Sequence, residues 1–311
     1  EEMQGLVTAG AELLLRLYLL PRPLVVACTG HALAAGALIL LAGDIRIGAA
    51  GEFKIGLNEV AIGMGQQATD LQAWRESFQQ AIADAQRQSG KRLMILWSNR
   101  WMPMFWSTKE MLERGELGDP MYCYARLNNT LYVPTKMLSW SANTKLPFWL
   151  ICHRYDIARW YFGAEAKRVN AVSRSVVLKG MGIDTPDFYQ ATVEFENGCV
   201  GNFESCWILP ETMPYLVDSK FQLICSKGYV NVDPALPVHQ VSTESAHQNR
   251  GFITGDIDGE PRGFVFDAIS HFVNCLLRDE EPLITGHDGL MVTKALTAMV
   301  ESAETGRPVD L

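Results

Sequence analysis

The chain has 311 residues, nearly half of them apolar and a fifth charged, which is the balance of a folded globular protein long enough for two domains. Its net charge of −8 argues against nucleic acid or an anionic membrane surface as partner, because an acidic body is repelled by both. Seven scattered cysteines with no C-x-x-C pair predict neither a disulfide framework nor a zinc site, and they fit a reducing, cytoplasmic setting.

The opening "EEMQGLVTAG" has no basic stretch of the kind that begins a secretory signal and no initiator Met, so it reads as the start of a fragment. Residues 2–19 then read as a helix, 23–28 as a strand, 32–42 as a helix and 45–49 as a strand, an alternation that gives parallel sheets. Residues 23–43 carry no formal charge over a length that could cross a bilayer. Val25 and Val26 are β-branched, "TGHA" has the composition of a turn and "LAAGALILLAG" that of a helix, so a buried strand followed by a buried helix explains the same apolarity.

Further on, "NEVAIGMGQQATDL" sets Gly63, Gly65 and Ala68 at the spacing G-x-G-x-x-A. Such a turn seats a pyrophosphate when it joins a strand to a helix N-terminus. Against that use, a ribose-reading residue belongs about 20 residues past the glycines. Arg100, the basic group that would suit a 2′-phosphate, lies well beyond that.

Residues 69–89 form one apolar face from Leu71, Trp74, Phe78, Ile82 and Ala85, ending at Gly90. "KRLMILW" reads as a buried strand and "MPMFWSTKEMLERGELGDP" as a helix with a Gly and Pro exit. The second half is rich in strands: "YQATVEF" returns through "ENG" to "VGNFESCWI", and "FQLIC" through "SKG" to "YVNV". Two helices follow, "FVFDAISHFVNCLLRD" and "GLMVTKALTAMVESAETG", the latter stopped by Gly306 and Pro308. The fold expected is an α/β N-terminal portion with parallel strands, followed by an α+β domain with a large, mainly antiparallel sheet covered by helices on one face.

Two family resemblances attach to these segments. "PRPLVVACTGHALAAGALILLAGDIRIGAAGEFKIGLNEVAIGM", with the helix before it, resembles the middle of the crotonase (enoyl-CoA hydratase/isomerase) family over residues 1–64. That resemblance implies that the backbone N–H of Ala35 serves an oxyanion hole and that Glu59 does acid–base work. The family's other acidic position is occupied by Leu38, which cannot transfer a proton.

Residues 68–311 resemble the Gfo/Idh/MocA (glucose-fructose oxidoreductase/inositol dehydrogenase) family, carried by "RLMILWSNRWMPMFWSTKEMLERGELGDP", "HRYDIARWYFG", "ATVEFENGCVGNFESCW" and "GLMVTKALTAMVESAETGRPVDL". This resemblance implies an oxidoreductase acting on a sugar-like or cyclitol hydroxyl with NAD or NADP, a sheet that lines the substrate site, and a homo-oligomer assembled through that sheet. The segments implied are a crotonase-like fragment (1–64), the last helix and strand of a Rossmann-type nucleotide domain (65–105) and a substrate and oligomerisation domain (106–311). His153 matches the family's H-x-x-D and would contact the reacting hydroxyl, with Asp156 one turn on along the same helix face. A histidine merely paired with Asp156 is the alternative.

The resemblance also exposes departures. Trp149 stands where the family has a carboxylate partner for the histidine, and Gly65 stands where its E-K-P lysine should be. Arg100, Asn143 and Lys145 are expected near the cleft as substrate-binding groups, and Gly63 and Gly65 are the cofactor-binding candidates. No metal site is expected. Three functions follow: an oxidoreductase by descent, impaired by the missing lysine and phosphate turn in a fused chain; a crotonase-type acyl-CoA hydratase or isomerase fragment; and a non-catalytic oligomerising or sugar-binding module.

Overall fold

The computed structural model describes residues 92–233 and 260–311 throughout, together with residues 13, 16–17, 24–28, 32–33, 39, 45–48, 55–56, 239–242, 247–250 and 254–258. The chain divides into two compact units, Glu1–Leu93 and Met94–Leu311.

In the first unit β1 (Val25–Cys28) pairs in parallel with β3 (Ile45–Gly48), Val25 opposite Ile45. A parallel pair needs a crossover of a dozen or more residues between its strands, which the interval from 28 to 45 supplies. β2 (Ala32–Leu33) pairs in parallel with β4 (Ile55–Gly56). The strands predicted at 23–28 and 45–49 are therefore present. The helix predicted from residue 32 does not begin there, because backbone pairing with 55–56 holds Ala32 and Leu33 extended. No described helix is long and apolar enough to cross a membrane, and the apolar run at 23–43 contributes β1 instead.

The second unit is built on a seven-stranded sheet. Its elements in chain order are α1 (Pro103–Glu113), β5 (Pro120–Asn129), α2 (Cys152–Phe162), β6 (Ala166–Arg174), α3 (Val177–Gly180), β7 (Phe188–Phe195), β8 (Val200–Cys206), β9 (Val217–Cys225) and β10 (Tyr229–Val232). Two ribbons follow, β11 (His239–Ser242) with β12 (His247–Arg250) and β13 (Thr254–Ile257) with β14 (Glu260–Gly263). The chain closes with α4 (Phe264–Arg278), α5 (Gly286–Thr305) and β15 (Val309–Asp310). The sheet order is β10-β9-β5-β8-β7-β6-β15. Only β5 and β8 pair in parallel within it, so the sheet is mixed and mainly antiparallel.

Alternation along the strands separates two faces. Cys123, Ala125 and Leu127 on β5, Ala191, Val193 and Phe195 on β7, and Phe221 and Leu223 on β9 are buried, while their neighbours are polar. The helices cover the buried face: Tyr155 of α2 stacks on Phe195 at 5.9 Å, and Phe105 of α1 meets Phe221 edge-on at 5.7 Å. Phe105 is fully buried, so truncating it to Ala costs about 3–5 kcal/mol. On the open face Tyr124, Arg126 and Asn128 of β5 bond to Glu204 of β8 and Asp218 of β9.

Local chemistry places several boundaries. Gly163 ends α2 in the left-handed conformation (φ 62°), which an L side chain adopts only with strain. Gly198 (φ 86°) turns β7 into β8, as "ENG" predicted. One expectation fails: residues 92–97 form no strand. The Ile95 N–H bonds to the Ile284 carbonyl at 3.1 Å, so this segment is held by the loop before α5 rather than by a sheet.

Candidate functional site

Helix α2 is entered through a π turn, Pro147–Ile151, with Pro147 at its first position where a missing N–H costs nothing. Wide i→i+5 turns of this kind recur at functional sites. Trp149 lies in the turn. Its indole N–H donates to Asn129 Oδ1 at 3.2 Å, and its ring meets Trp140 edge-on at 5.3 Å.

His153, one turn later, is half-buried, with Nδ1 enclosed and without a hydrogen-bond partner. Burial, assisted by the charge of Arg154, lowers its pKa from 6.5 to about 4. The ring is therefore neutral at pH 7. Arg154 is buried beneath it in sequence, its Nη2 donating to the Ser219 hydroxyl, while Nε and Nη1 have no partner. Its guanidinium lies over the Phe105 ring at 5.1 Å, and burial pulls its pKa down to about 10.

The rest of α2 is held by ion pairs. Arg100, from the short 3-10 turn Ser98–Trp101, reaches Asp156 with both prongs of its fork, Nε to Oδ2 at 2.9 Å and Nη2 to Oδ1 at 2.6 Å. Its Nη1 donates to the Leu283 carbonyl at 3.3 Å, and its guanidinium lies over Trp160 at 5.2 Å. Burial raises the Asp156 pKa, and the Arg100 charge and hydrogen bonds oppose that rise. Further along, Arg159 bonds to Glu165 and to Asp288. Asp288 closes a capping box on α5: Thr285 N–H and hydroxyl donate to it at 2.7 and 2.8 Å, and its own N–H donates to Thr285 Oγ1. Burial raises the Asp288 pKa, but the bonds from Thr285 and Arg159 together hold it below the usual range.

His153 and Asp156 do share a helix, and it is Arg100 that reaches both Asp156 oxygens. Arg100, expected to bind substrate at an open cleft, is buried with all three guanidinium nitrogens engaged. Asn143 closes a short 3-10 turn and Lys145 follows it; both are half-buried and both precede the π turn that leads to His153. Glu59, Ala35, Gly63 and Gly65 lie outside the described residues. Sequence reasoning missed Arg154 and Asp288. The T-x-x-D of Thr285–Asp288 was a readable capping signal, whereas nothing in the sequence marks Arg154 as buried.

Residues 109–311 match the family model described as the oxidoreductase family, C-terminal alpha/beta domain, of Gfo/Idh/MocA proteins. The chain belongs to the Gfo/Idh/MocA oxidoreductase family. Among curated relatives, scyllo-inositol 2-dehydrogenase (NAD(+)) of Bacillus subtilis (strain 168) is 24% identical over 234 residues, covering 74% of this chain and 66% of the relative. The chain thus spans just under two thirds of that relative's length.

Among solved structures, myo-inositol 2-dehydrogenase from Lactobacillus plantarum aligns with a TM-score of 0.64 at 12% identity, over 93% of this chain and all of that one. Scyllo-inositol dehydrogenase from Lactobacillus casei, with bound NAD(H) and scyllo-inositol, aligns with a TM-score of 0.60 at 18% identity, over 89% of this chain and 76% of that one. At these identities the structural likeness speaks to fold. The crotonase-like reading of residues 1–64 and the fused chain it implied gain no support from these matches.

The family implies a nicotinamide cofactor. Among the described residues no G-x-G-x-x-G turn opens a helix, so none of them provides a pyrophosphate seat of that kind. What the described residues offer is a neutral imidazole with an unsatisfied, enclosed nitrogen.

Proposed function

We propose that residues 106–311, the greater part of the second unit, are the substrate domain of a dehydrogenase acting on a sugar-like or cyclitol hydroxyl, with His153 as the group that meets that hydroxyl. The observation that carries the reading is the enclosed, unpartnered Nδ1 of His153. A buried polar atom without a partner is costly, and a small shift of the half-buried ring that lets a substrate hydroxyl bond to it would remove that cost. The relatives' names, inositol and scyllo-inositol dehydrogenases, supply the substrate class.

NAD or NADP, if bound, would supply the hydride acceptor. The chain's own residues do the rest. A general base works best with a pKa near the working pH, and His153 at about 4 is far below it. With Trp149 in place of a carboxylate, nothing raises it. His153 therefore orients the hydroxyl by hydrogen bonding rather than removing its proton, and turnover is slow although binding survives. Lys145 and Asn143 precede the site in the chain and would complete the substrate's polar contacts. Gly63 and Gly65 stay weak candidates for the cofactor.

Residues 106–311 act in this reading as the substrate and oligomerisation domain, with 65–105 a remnant of the nucleotide domain and 1–64 a separate segment. The polar open face of the sheet, from Tyr124 to Asp218, would carry a homo-oligomer. The setting proposed is cytoplasmic. Titration calorimetry with scyllo-inositol, myo-inositol and D-xylose tests the reading. Saturable binding that weakens at least about tenfold in His153→Ala is expected, a loss of one buried hydrogen bond. Equal binding in that variant removes the role of His153, and no binding of any of the three by the wild type removes the function.

A further inference from the structure

We infer that Trp149 is a stacking platform for the ring of the substrate, a specificity device that stands in the place where the family resemblance led us to expect a carboxylate. The inference rests on the polyol-binding reading above and adds to it the shape of molecule accepted.

Three observations carry it. Trp149 lies four residues before His153 in one continuous helical segment, so both side chains belong to the same face. Its indole N–H is already satisfied by Asn129, and Trp140 braces it at 5.3 Å with an interplanar angle of 80°. Held at its nitrogen by Asn129 and braced by a near-perpendicular Trp140, the ring is fixed in orientation yet half-buried, so part of its surface stays open. The nearest titratable neighbour along that face, His153, keeps an unpartnered nitrogen.

A rigid, partly open indole with its polar atom engaged offers a π-face and no hydrogen-bonding group. Such a face attracts the positive C–H edge of a ring and has little to offer a flexible chain of hydroxyls. A cyclic polyol that presents axial C–H groups on a ring face, as scyllo-inositol does on both, can lie on Trp149 while one hydroxyl reaches His153. An acyclic polyol would have to be ordered first, at an entropic cost that rises with each rotor. A carboxylate at this position would instead bond to hydroxyls and treat both shapes more evenly. The site is thereby selective for ring shape over hydroxyl count.

The test is titration calorimetry of the full chain with scyllo-inositol and with the acyclic polyol sorbitol, for the wild type, Trp149→Phe and Trp149→Ala. The account expects the wild type to prefer scyllo-inositol by about tenfold or more, from one aromatic contact. Trp149→Phe should keep most of that preference, and Trp149→Ala should lose it. Far-UV circular dichroism and thermal melting confirm that each variant folds, and Trp149→Phe carries the test if Trp149→Ala does not. In that case tighter scyllo-inositol binding by Trp149→Phe than by Trp149→Leu supports the platform, and equal binding overturns it. If the wild type binds scyllo-inositol and Trp149→Ala binds it equally well, the platform is overturned while the polyol-binding function stands. If the wild type binds no polyol, both fall.

Discussion

The two ends of helix α2 differ in how completely their polar groups are satisfied. From Asp156 onward every charge has a partner: Arg100 holds Asp156 and the Leu283 carbonyl, and Arg159 holds Glu165 and Asp288. At its start, His153 Nδ1 and Arg154 Nε and Nη1 are buried with none. A fold that satisfies one end so thoroughly has the means to satisfy the other. In the proposed reading the difference separates a structural clamp from a place kept for a ligand, as expected where function overrides local consistency.

Breaking the clamp should have the largest effect. Asp156→Ala leaves the Arg100 guanidinium buried and unpaired, and urea denaturation should show a loss of about 3–5 kcal/mol. Replacing both partners together, Arg100→Met with Asp156→Leu, should recover most of that loss, because no charge is stranded. Next comes Asp288→Ala, which removes the side-chain half of the α5 capping box and a partner of Arg159, with an expected cost of about 1–2 kcal/mol by the same measurement.

At the unsatisfied end the effect depends on pH. The folded His153 pKa of about 4 lies below the unfolded value of 6.5, so the unfolded chain takes up a proton first. Its contribution is fully present above pH 6.5 and is lost as pH falls to about 4. His153→Phe should match the wild type at pH 7 and exceed it at pH 5 in thermal melting. Asp288, held low in the folded state, has the same sign but acts at lower pH, its contribution fading below the usual carboxylate range. Smallest of all, the exposed Lys136–Glu211 pair should matter little, Lys136→Ala changing stability by within about 0.5 kcal/mol.

The parts of this structure that were legible in the sequence are those decided locally. The glycines at 198 and 306 and the Gly and Pro exit after α1 carry their own geometry, so the hairpin and the helix ends were readable. His153 is singled out by the family resemblance, whose short H-x-x-D motif it matches. What escaped was decided at a distance. Arg100 and Asp156 are 56 residues apart, and no periodicity joins them. Residues 92–97 have a strand's composition but bond to Ile284, far along the chain. The parallel pairing of β5 with β8 within a mainly antiparallel sheet follows from the order of the strands, which alternation alone does not encode. Burial of Arg154 likewise contradicts its residue type and needed the packed helix to be seen.

The most direct test of the contrast between the two ends is a histidine NMR titration of the whole chain, with His153→Gln to assign the signal and scyllo-inositol as the added polyol. The account predicts a His153 ring that titrates near pH 4 and whose resonance moves saturably as scyllo-inositol is added. A ring that titrates near 6.5 and ignores the polyol would contradict it.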